Sequence, residues 1–222
     1  MVKPRFSLLS DYPQYPQELM KQRSYEFYKA MEKRRSVRNF SDRPVDRTII
    51  ENCLRAAATA PSGANMQPWY FVIVSDPAVK RKIREASEKV EQAFYSQNGT
   101  RKWVKELKPL GTGPEKPFLE TAPYLIVVFS RYYSLLPDGG KRKHYYVIES
   151  VGIATGILIT AIHHSGLACL TYTPARMGFL NRILSRPKNE RPFLILVVGY
   201  PSADAVVPDI TKKPFNEVAV FI

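Results

Sequence analysis

A long, predominantly apolar helix, predicted from Tyr146 to His164, limits the folds that this 222-residue chain can adopt. Apolar residues lie on nearly every side of the predicted helix, and Gly152 and Gly156 are four residues apart within it. Such a helix must be buried in a core or against another subunit, and its glycines allow another backbone to approach closely. The longest apolar stretch of the chain, Val151 to Ile162, is short and is interrupted by glycines and threonines, so we do not expect it to span a bilayer.

Predicted helices and strands alternate along the rest of the chain. Helices are expected from about Arg23 to Arg34, after the N-cap Asp46, and from Asp76-Pro77 onward. Runs of β-branched and aromatic residues predict four strands, at Trp69–Val74, Tyr124–Phe129, Leu167–Tyr172 and Phe193–Val198. This order predicts one α+β or α/β domain in which helices flank a sheet. The sequence has no G-x-G-x-x-G motif and no P-loop motif, so neither nucleotide site has support.

The charge balance of the chain is strongly basic. There are 33 Lys and Arg residues against 20 Asp and Glu residues, a formal charge of +13. This excess is compatible with an anionic ligand, with nucleic acid, with an anionic membrane surface, or with a solvated surface. Charge alone does not choose among these alternatives.

The two cysteines indicate a reducing compartment. Cys53 and Cys169 lie far apart in apolar segments and form no C-x-x-C motif, which favours buried thiols over a disulfide framework or a structural zinc site. The first residues lack the apolar region of a signal peptide. We therefore expect a cytoplasmic protein with no metal and no attachment to a membrane.

Four segments carry residues suited to ligand binding. The first, Arg34–Arg38, places three guanidinium groups and a hydroxyl within five residues, which suits a phosphate but also an ordinary basic helix end. The second, Pro61–Trp69, is rich in small residues and precedes a strand, so its backbone N–H groups could reach a ligand. The fourth, Thr171–Pro174, leaves a buried strand with three hydroxyl groups, one of which could donate a hydrogen bond to a cofactor, although an ordinary strand end would look the same.

The third segment contains Glu91 and Tyr95, with Lys116 further along the chain. Helical periodicity places Glu91 and Tyr95 on one face, about 100° from the apolar stripe that runs from Val79 to Phe94. The two side chains are therefore expected off the core face. A carboxylate, a phenol and an ammonium could together bind an amino acid, although a solvated helix face would show the same spacing.

Taken together, these motifs resemble a known family. Arg-Arg-Ser-Val-Arg at 34–38, Pro-Ser-Gly-Ala at 61–64, Thr173-Pro174 and Val-Gly-Tyr-Pro at 198–201 resemble the nitroreductase superfamily in order and separation. The resemblance narrows to the iodotyrosine deiodinases on Trp103-Val104, Leu107-Lys108, Lys116 and Thr121-Ala122-Pro123. It extends from about Tyr25 to Ile222.

The resemblance implies a fold and an assembly. It implies an α+β, nitroreductase-like fold whose central mixed sheet is flanked by helices, in an intertwined homodimer with an exchanged C-terminal arm. The whole chain, 1–222, would be one FMN-binding domain. Within it, residues 1–20 would form an extended N-terminal arm, residues 88–118 an active-site lid, and residues 201–222 the C-terminal arm.

The resemblance also implies which residues bind FMN. The segment Arg34, Arg35, Ser36, Val37 and Arg38 would hold the phosphate, the ribityl chain and the ring edge. Pro61, Ser62 and Gly63 would lie against the isoalloxazine ring. Thr173 would donate a hydrogen bond to flavin N5, with Thr171 and Tyr172 beside it, and Lys212 would contact the phosphate where many relatives have arginine.

For the substrate, the resemblance implies a halotyrosine such as 3-iodo-L-tyrosine. Glu91, Tyr95 and Lys116 would bind its zwitterion, and the Ala64 backbone N–H would bind its phenolate oxygen. The halogen would leave as halide through single-electron steps from reduced flavin. Electrons would come from an external donor, an NAD(P)H-linked reductase, and no nucleic acid would take part.

Three other functions share some of these features. A general FMN-dependent nitroreductase or quinone reductase would have the same fold and flavin site but no zwitterion-binding residues. A flavin-storing or flavin-cleaving protein would bind flavin without removing halogen. A basic nucleic-acid-binding module would fit the charge, although the sequence has no motif for one.

Overall fold

The computed structural model describes residues 4–96 and 101–222, and it divides into two compact units, residues 1–34 and 35–222. The first unit contains helix α1, Gln17–Glu32, none of whose residues is buried. The helix begins directly after Pro16, earlier than the Arg23 predicted, so the end of the expected extended arm 1–20 is helical. Proline lacks the N–H that a helix interior needs, which explains the boundary.

The second unit is built on a four-stranded antiparallel sheet. Its strands in chain order are β1 (Trp69–Val74), β2 (Tyr124–Arg131), β5 (Ala168–Tyr172) and β6 (Glu190–Gly199), while β3 (Tyr133–Leu135) and β4 (Lys141–Lys143) form a separate hairpin. The order across the sheet is β1-β2-β6-β5. Every pairing between these strands is antiparallel, so the sheet is not the mixed sheet that the resemblance implied. One isolated parallel bridge joins Ser36 to Cys169.

Helices cover both faces of the sheet. They are α2 (Arg47–Ala58), α3 (Pro77–Ser96), α4 (Arg101–Leu107), α5 (Phe118–Thr121), α6 (Val147–His164) and α7 (Gly178–Ile183). The predicted caps are confirmed: the Asp46 carboxylate accepts a hydrogen bond from the Thr48 N–H at 2.7 Å, and Asp76 accepts one from Val79 at 2.8 Å. The α+β class predicted from the sequence is confirmed.

Alternation along β2 divides the core between the two faces. Leu125 and Val127 pack with residues of α3, α5 and α7, whereas Ile126 packs with residues of α2 and α6. Because successive side chains of a strand point to opposite faces, the same alternation applies to β5 and β6. Tyr172, the last residue of β5, therefore belongs to the core on the side of α3 and α5.

Helix α6 buries one side and leaves another open. It is the one helix among the described residues that is long and apolar enough to cross a membrane. Its contacts with α2, β1, β2 and β5 account for the buried side, which includes Ala154 and Leu158. Ile153 remains exposed, and a Cβ placed on Gly152 or Gly156 would meet no atom within 4 Å. The open side is available to a second molecule.

Helix α3 corrects one prediction from periodicity. Its buried residues are Lys80, Ile83, Ser87 and Glu91, so Glu91 lies on the buried face and not away from it. The apolar residues Val79, Ala86 and Val90 are only partly buried. The prediction was wrong because periodicity identifies the most apolar stripe of a helix, whereas burial depends on what packs against it. Here the segment at Lys116–Ala122 covers a polar face.

Candidate active site

Residues 35–38 lie beside strand β5. Ser36 forms a parallel bridge with Cys169, and the Val37 N–H donates a hydrogen bond to the Cys169 carbonyl at 3.4 Å. Val37 is buried in the core, which fixes the segment, while Arg35 and Arg38 remain half-buried. The predicted phosphate-binding segment thus follows α1 in the chain and lies along the strand that carries Thr171 and leads to Thr173.

The C-terminal segment begins alongside the same residues. Phe40 forms a bridge with Pro201, and the Ser202 N–H donates to the Asn39 carbonyl at 3.0 Å. Further on, the Arg35 guanidinium donates to the Pro208 carbonyl. These contacts bring the segment that carries the exposed Lys212 to the neighbourhood of Arg35. The final residues, at 218–222, form no strand within the chain.

The loop at 61–67 has an unusual backbone. Ala64, Asn65 and Gln67 all have positive φ angles, of 49°, 52° and 46°. Such conformations cost free energy in residues other than glycine, and they persist at ligand sites where the surroundings enforce them. The Gln67 N–H donates to the Ser62 hydroxyl at 2.9 Å, which fixes the turn from within.

The N-terminus of α6 holds this loop from outside. The Gly63 N–H donates to the buried Ser150 hydroxyl at 3.4 Å. A Cβ on Gly63 would lie 2.7 Å from the Tyr146 ring, so no larger residue fits there without movement. Pro61 and Ala64 remain exposed beside these contacts, where a ligand can reach them.

Glu91 and Lys116 form a buried ion pair. The Lys116 Nζ lies 3.3 Å from the Glu91 Oε2, and both residues are more than nine-tenths buried. Lys116 also donates to the Gly113 carbonyl. Burial lowers the pKa of Lys116, and the Glu91 carboxylate partly opposes that change. The structure thus brings together two residues that are distant in the sequence, as a pair of opposite charges beneath the surface.

Tyr95 and Arg38 complete the surroundings of this pair. The Lys116 Nζ is 5.8 Å from the centre of the Tyr95 ring, and the Tyr95 hydroxyl donates to the Thr112 carbonyl at 3.2 Å. Burial raises the pKa of Tyr95, and the charge of Glu91 adds to the increase. Burial lowers the pKa of Arg38, which lies close enough to interact electrostatically with Tyr95 and Lys116. Arg38 therefore connects the predicted phosphate-binding segment with the predicted substrate site.

Glu88 is a further site residue that the sequence reasoning missed. Its carboxylate accepts a hydrogen bond from the Lys116 backbone N–H at 2.8 Å and is bound by Arg84 at 2.6 Å. Arg84 also binds Glu120, four residues after Lys116 in the chain, at 2.6 Å. The i,i+4 pair of Arg84 and Glu88 was visible in the sequence, but its connection to Lys116 depends on the fold.

The end of β5 presents side chains to two different regions. Thr171 and Thr173 are exposed, whereas Tyr172 between them is buried on the opposite face of the sheet. The Tyr172 ring packs edge-on against Phe118 at 5.8 Å, and its centre is 5.7 Å from the Lys116 Nζ. The two threonines thus share a surface, while the tyrosine side chain lies under the ion pair.

One chain does not bring all the predicted residues together. The loop at 61–67 leads into β1, and residues 35–38 lie on β5, at the two edges of the sheet. Three strand spacings, about 14 Å, separate these edges. Within the predicted lid at 88–118, residues 97–100 lie outside the described residues. The described lid residues include Trp103, whose ring packs against Phe94 at 5.6 Å.

Comparisons with known proteins agree with this arrangement. Residues 31–200 match the model of the nitroreductase family. The iodotyrosine deiodinase of Haliscomenobacter hydrossis is 54% identical over 209 residues, which are 94% of this chain and 93% of that protein. The chain belongs to the iodotyrosine deiodinases. Iodotyrosine deiodinase 1 of Homo sapiens is 44% identical over 94% of this chain and 72% of its own length.

A solved structure of an iodotyrosine deiodinase has the same fold. That structure, of the oxidised enzyme bound to FMN and 3-iodo-L-tyrosine, matches with a TM-score of 0.72 and 34% identity, over 88% of this chain and 97% of the other. A nitroreductase with bound FMN from Bacteroides fragilis matches at 19% identity with a TM-score of 0.63, over 89% of this chain and 98% of its own, and shows the shared fold alone. The chain thus shares its architecture with a solved iodotyrosine deiodinase.

Proposed function

We propose that this chain catalyses the FMN-dependent reductive dehalogenation of halotyrosines to tyrosine and halide. The buried pair of Glu91 and Lys116 carries the proposal, because it offers a carboxylate for the ammonium of an amino acid and an ammonium for its carboxylate. A general nitroreductase has no need of such a pair. The relative bound to both FMN and 3-iodo-L-tyrosine supports the same substrate class.

The residues present fit FMN. The guanidinium groups of Arg34, Arg35 and Arg38, with Ser36 and Lys212, would hold the phosphate and ribityl chain, since arginine binds phosphate through two parallel hydrogen bonds. Pro61, Ser62 and Gly63, which lead directly into the strained residues Ala64 and Asn65, would lie against the ring. The exposed Thr173 would donate its hydroxyl proton to N5, with Thr171 beside it. Bound FMN supplies the electrons that cleave the carbon–halogen bond.

The protein residues bind and orient the substrate. Glu91, Tyr95 and Lys116 bind the zwitterion, and the Ala64 N–H donates to the phenolate oxygen. That hydrogen bond favours the keto tautomer at the carbon that bears the halogen. The described part of the lid, with Tyr95 bonded to the Thr112 carbonyl, excludes water from the ring.

We infer that the active form is a homodimer. The loop at 61–67 and the segment at 35–38 lie at opposite edges of the sheet. The loop of one subunit and the segment of the other would therefore together enclose a flavin. Ile153 and the two glycines of α6 leave an open surface for such contact. The apolar ending at 218–222 is exposed and suits exchange with the partner.

The electron donor would be a separate protein, an NAD(P)H-linked reductase. A reducing, cytoplasmic location would supply such a donor, and the buried thiols of Cys53 and Cys169 are compatible with it.

Anaerobic reduction of the FMN-loaded protein tests the proposed function. After reduction with dithionite, 3-iodo-L-tyrosine is added, and flavin reoxidation is followed together with the release of tyrosine and iodide. We expect stoichiometric tyrosine, and an increase in KM of about 10- to 100-fold for Glu91→Gln and Lys116→Ala, since each removes a charged hydrogen bond. The exposed Glu85 on the same helix provides the control variant Glu85→Gln, which should leave KM unchanged.

One outcome would reject the dehalogenase. If the flavin stays reduced with 3-iodo-L-tyrosine but is quickly reoxidised by nitroaromatics or quinones, the chain is a general nitroreductase. A purified protein that retains no flavin would reject both.

A further inference from the structure

Two buried hydroxyl groups, those of Ser87 and Tyr172, lie under the proposed substrate site. The resemblance placed Tyr172 beside the flavin, but its side chain is buried in the core, on the opposite face of the sheet from Thr171. Among the described residues, Ser87 and Tyr172 have hydroxyl oxygens that are buried without a hydrogen-bond partner of ordinary geometry, as does Ser130 elsewhere. An unsatisfied buried hydroxyl costs about 1–3 kcal/mol. Two of them beside one ion pair therefore require an explanation.

Ser87 and Tyr172 both lie close to Glu91. Ser87 is one helical turn before Glu91 on the buried face of α3. Ser87 and Glu91 are both close enough to the Tyr172 hydroxyl to affect its pKa. Burial raises the pKa of Tyr172 well above its usual range, and the Glu91 charge raises it further. The phenol is thus a neutral O–H donor next to a carboxylate.

We infer that Tyr172 is a positioning residue, whose hydroxyl donates to the Glu91 carboxylate and holds it for the substrate's ammonium group. This inference rests on the proposed function. In the structure, Glu91 lies 3.3 Å from Lys116. When a zwitterion binds, its carboxylate pairs with Lys116 and its ammonium pairs with Glu91. The Glu91 carboxylate then no longer has Lys116 to itself and needs a second, fixed hydrogen-bond donor from the core side.

The same contact would make the site specific for amino acids. Tyr172 is the last residue of strand β5, and its ring packs on Phe118 of α5, so both the sheet and α5 fix the position of its hydroxyl. A halophenol without the amino-acid group makes no use of Glu91. Loss of the Tyr172 hydroxyl should therefore weaken halotyrosine binding and leave halophenol binding as it is.

Calorimetric titration of the FMN-loaded protein separates these two ligands. For Tyr172→Phe, we expect the Kd of 3-iodo-L-tyrosine to rise about 10-fold, as for loss of a hydrogen bond to a charged group, while the Kd of 2-iodophenol stays the same. Ser130→Ala is the matched control, because it also removes a buried hydroxyl without a partner, and it should change neither Kd. In a Glu91→Gln background, Tyr172→Phe should have little further effect.

Several outcomes would overturn the inference. They are an equal loss for both ligands, no loss for either, or the same loss with and without Glu91. If Tyr172→Phe does not fold, Ser87→Ala decides, with a smaller loss expected for 3-iodo-L-tyrosine alone and rejection if both ligands or neither are affected. A wild-type protein that binds 3-iodo-L-tyrosine but releases no iodide would overturn the proposed function. The Kd values of the variants would then still decide whether Tyr172 positions Glu91.

Discussion

The Lys116 ammonium lies between the Glu91 carboxylate and the Gly113 carbonyl, and burial lowers its pKa. A lysine with a lowered pKa loses its charge at a lower pH than an exposed lysine, whose pKa is about 10.4. Its attraction for the substrate's carboxylate is therefore present at low pH and is lost as the pH rises through the lowered pKa. This loss should appear in kcat/KM, which reports the free enzyme.

We expect Lys116→Arg to extend activity towards alkaline pH. Arginine stays charged throughout, so the alkaline decrease in kcat/KM for 3-iodo-L-tyrosine should begin at higher pH in the variant than in the wild type. The profile for 2-iodophenol, which has no carboxylate, serves as the control and should keep its shape. Superimposable alkaline limbs with 3-iodo-L-tyrosine would show that Lys116 does not titrate in this range.

At the scale of elements, the start of β6 is held by a charged cluster. The almost fully buried Glu190 accepts hydrogen bonds from Arg131 on β2 at 2.8 Å and from Arg186 at 2.7 Å. The two guanidinium groups lie 4.1 Å and 4.3 Å from the centre of the Tyr70 ring on β1. The cluster thus connects three strands. Although burial opposes ionisation, the two arginines hold the pKa of Glu190 below its usual range.

Glu190→Gln should destabilise the fold. It leaves two arginines without their buried counter-charge, so we expect the free energy of unfolding to fall by about 3 kcal/mol in urea denaturation at fixed protein concentration. Glu120→Gln, at a partly exposed carboxylate that also binds two arginines, should cost below about 1 kcal/mol. The difference in free energy of unfolding between the wild type and Glu190→Gln should be fully present above the ordinary pKa of glutamate. It should disappear as the pH falls through the lowered pKa of Glu190. Equal costs for both variants would contradict the assignment.

At the scale of the whole molecule, α6 allows the proposed homodimer to be tested without harming the monomer. Gly156 is exposed in mid-helix, and a Cβ there would meet nothing within 4 Å in its own chain. Gly156→Leu should therefore favour the helix by up to about 1 kcal/mol while it blocks close approach of a second backbone. We expect sedimentation to show a monomer that has lost bound FMN.

The control for this variant is Gly178→Ala, at the start of α7, where a Cβ also meets nothing within 4 Å. It should leave both the mass and the flavin content unchanged. A dimeric, flavin-bound Gly156→Leu protein would place the interface on another surface.

The sequence by itself determined the elements and the family. Local signals suffice for strands such as Trp69–Val74 and for caps such as Asp46, because propensity, alternation and capping act over a few neighbouring residues. The motifs at 34–38, 61–64 and 198–201 indicated the family by their resemblance in order and separation, since each alone also fits an ordinary helix end or turn.

Only the tertiary structure decided which residues meet. Periodicity placed Glu91 away from the core, yet the fold buries it against Lys116, because the segment at Lys116–Ala122 packs on the polar face of α3. The same packing gave Glu88 its role and buried the Tyr172 ring beside Lys116, whereas its neighbours Thr171 and Thr173 are exposed. The order of strands also put the loop at 61–67 and the segment at 35–38 at opposite edges of the sheet. These relations depend on contacts between distant parts of the chain, which no local pattern encodes.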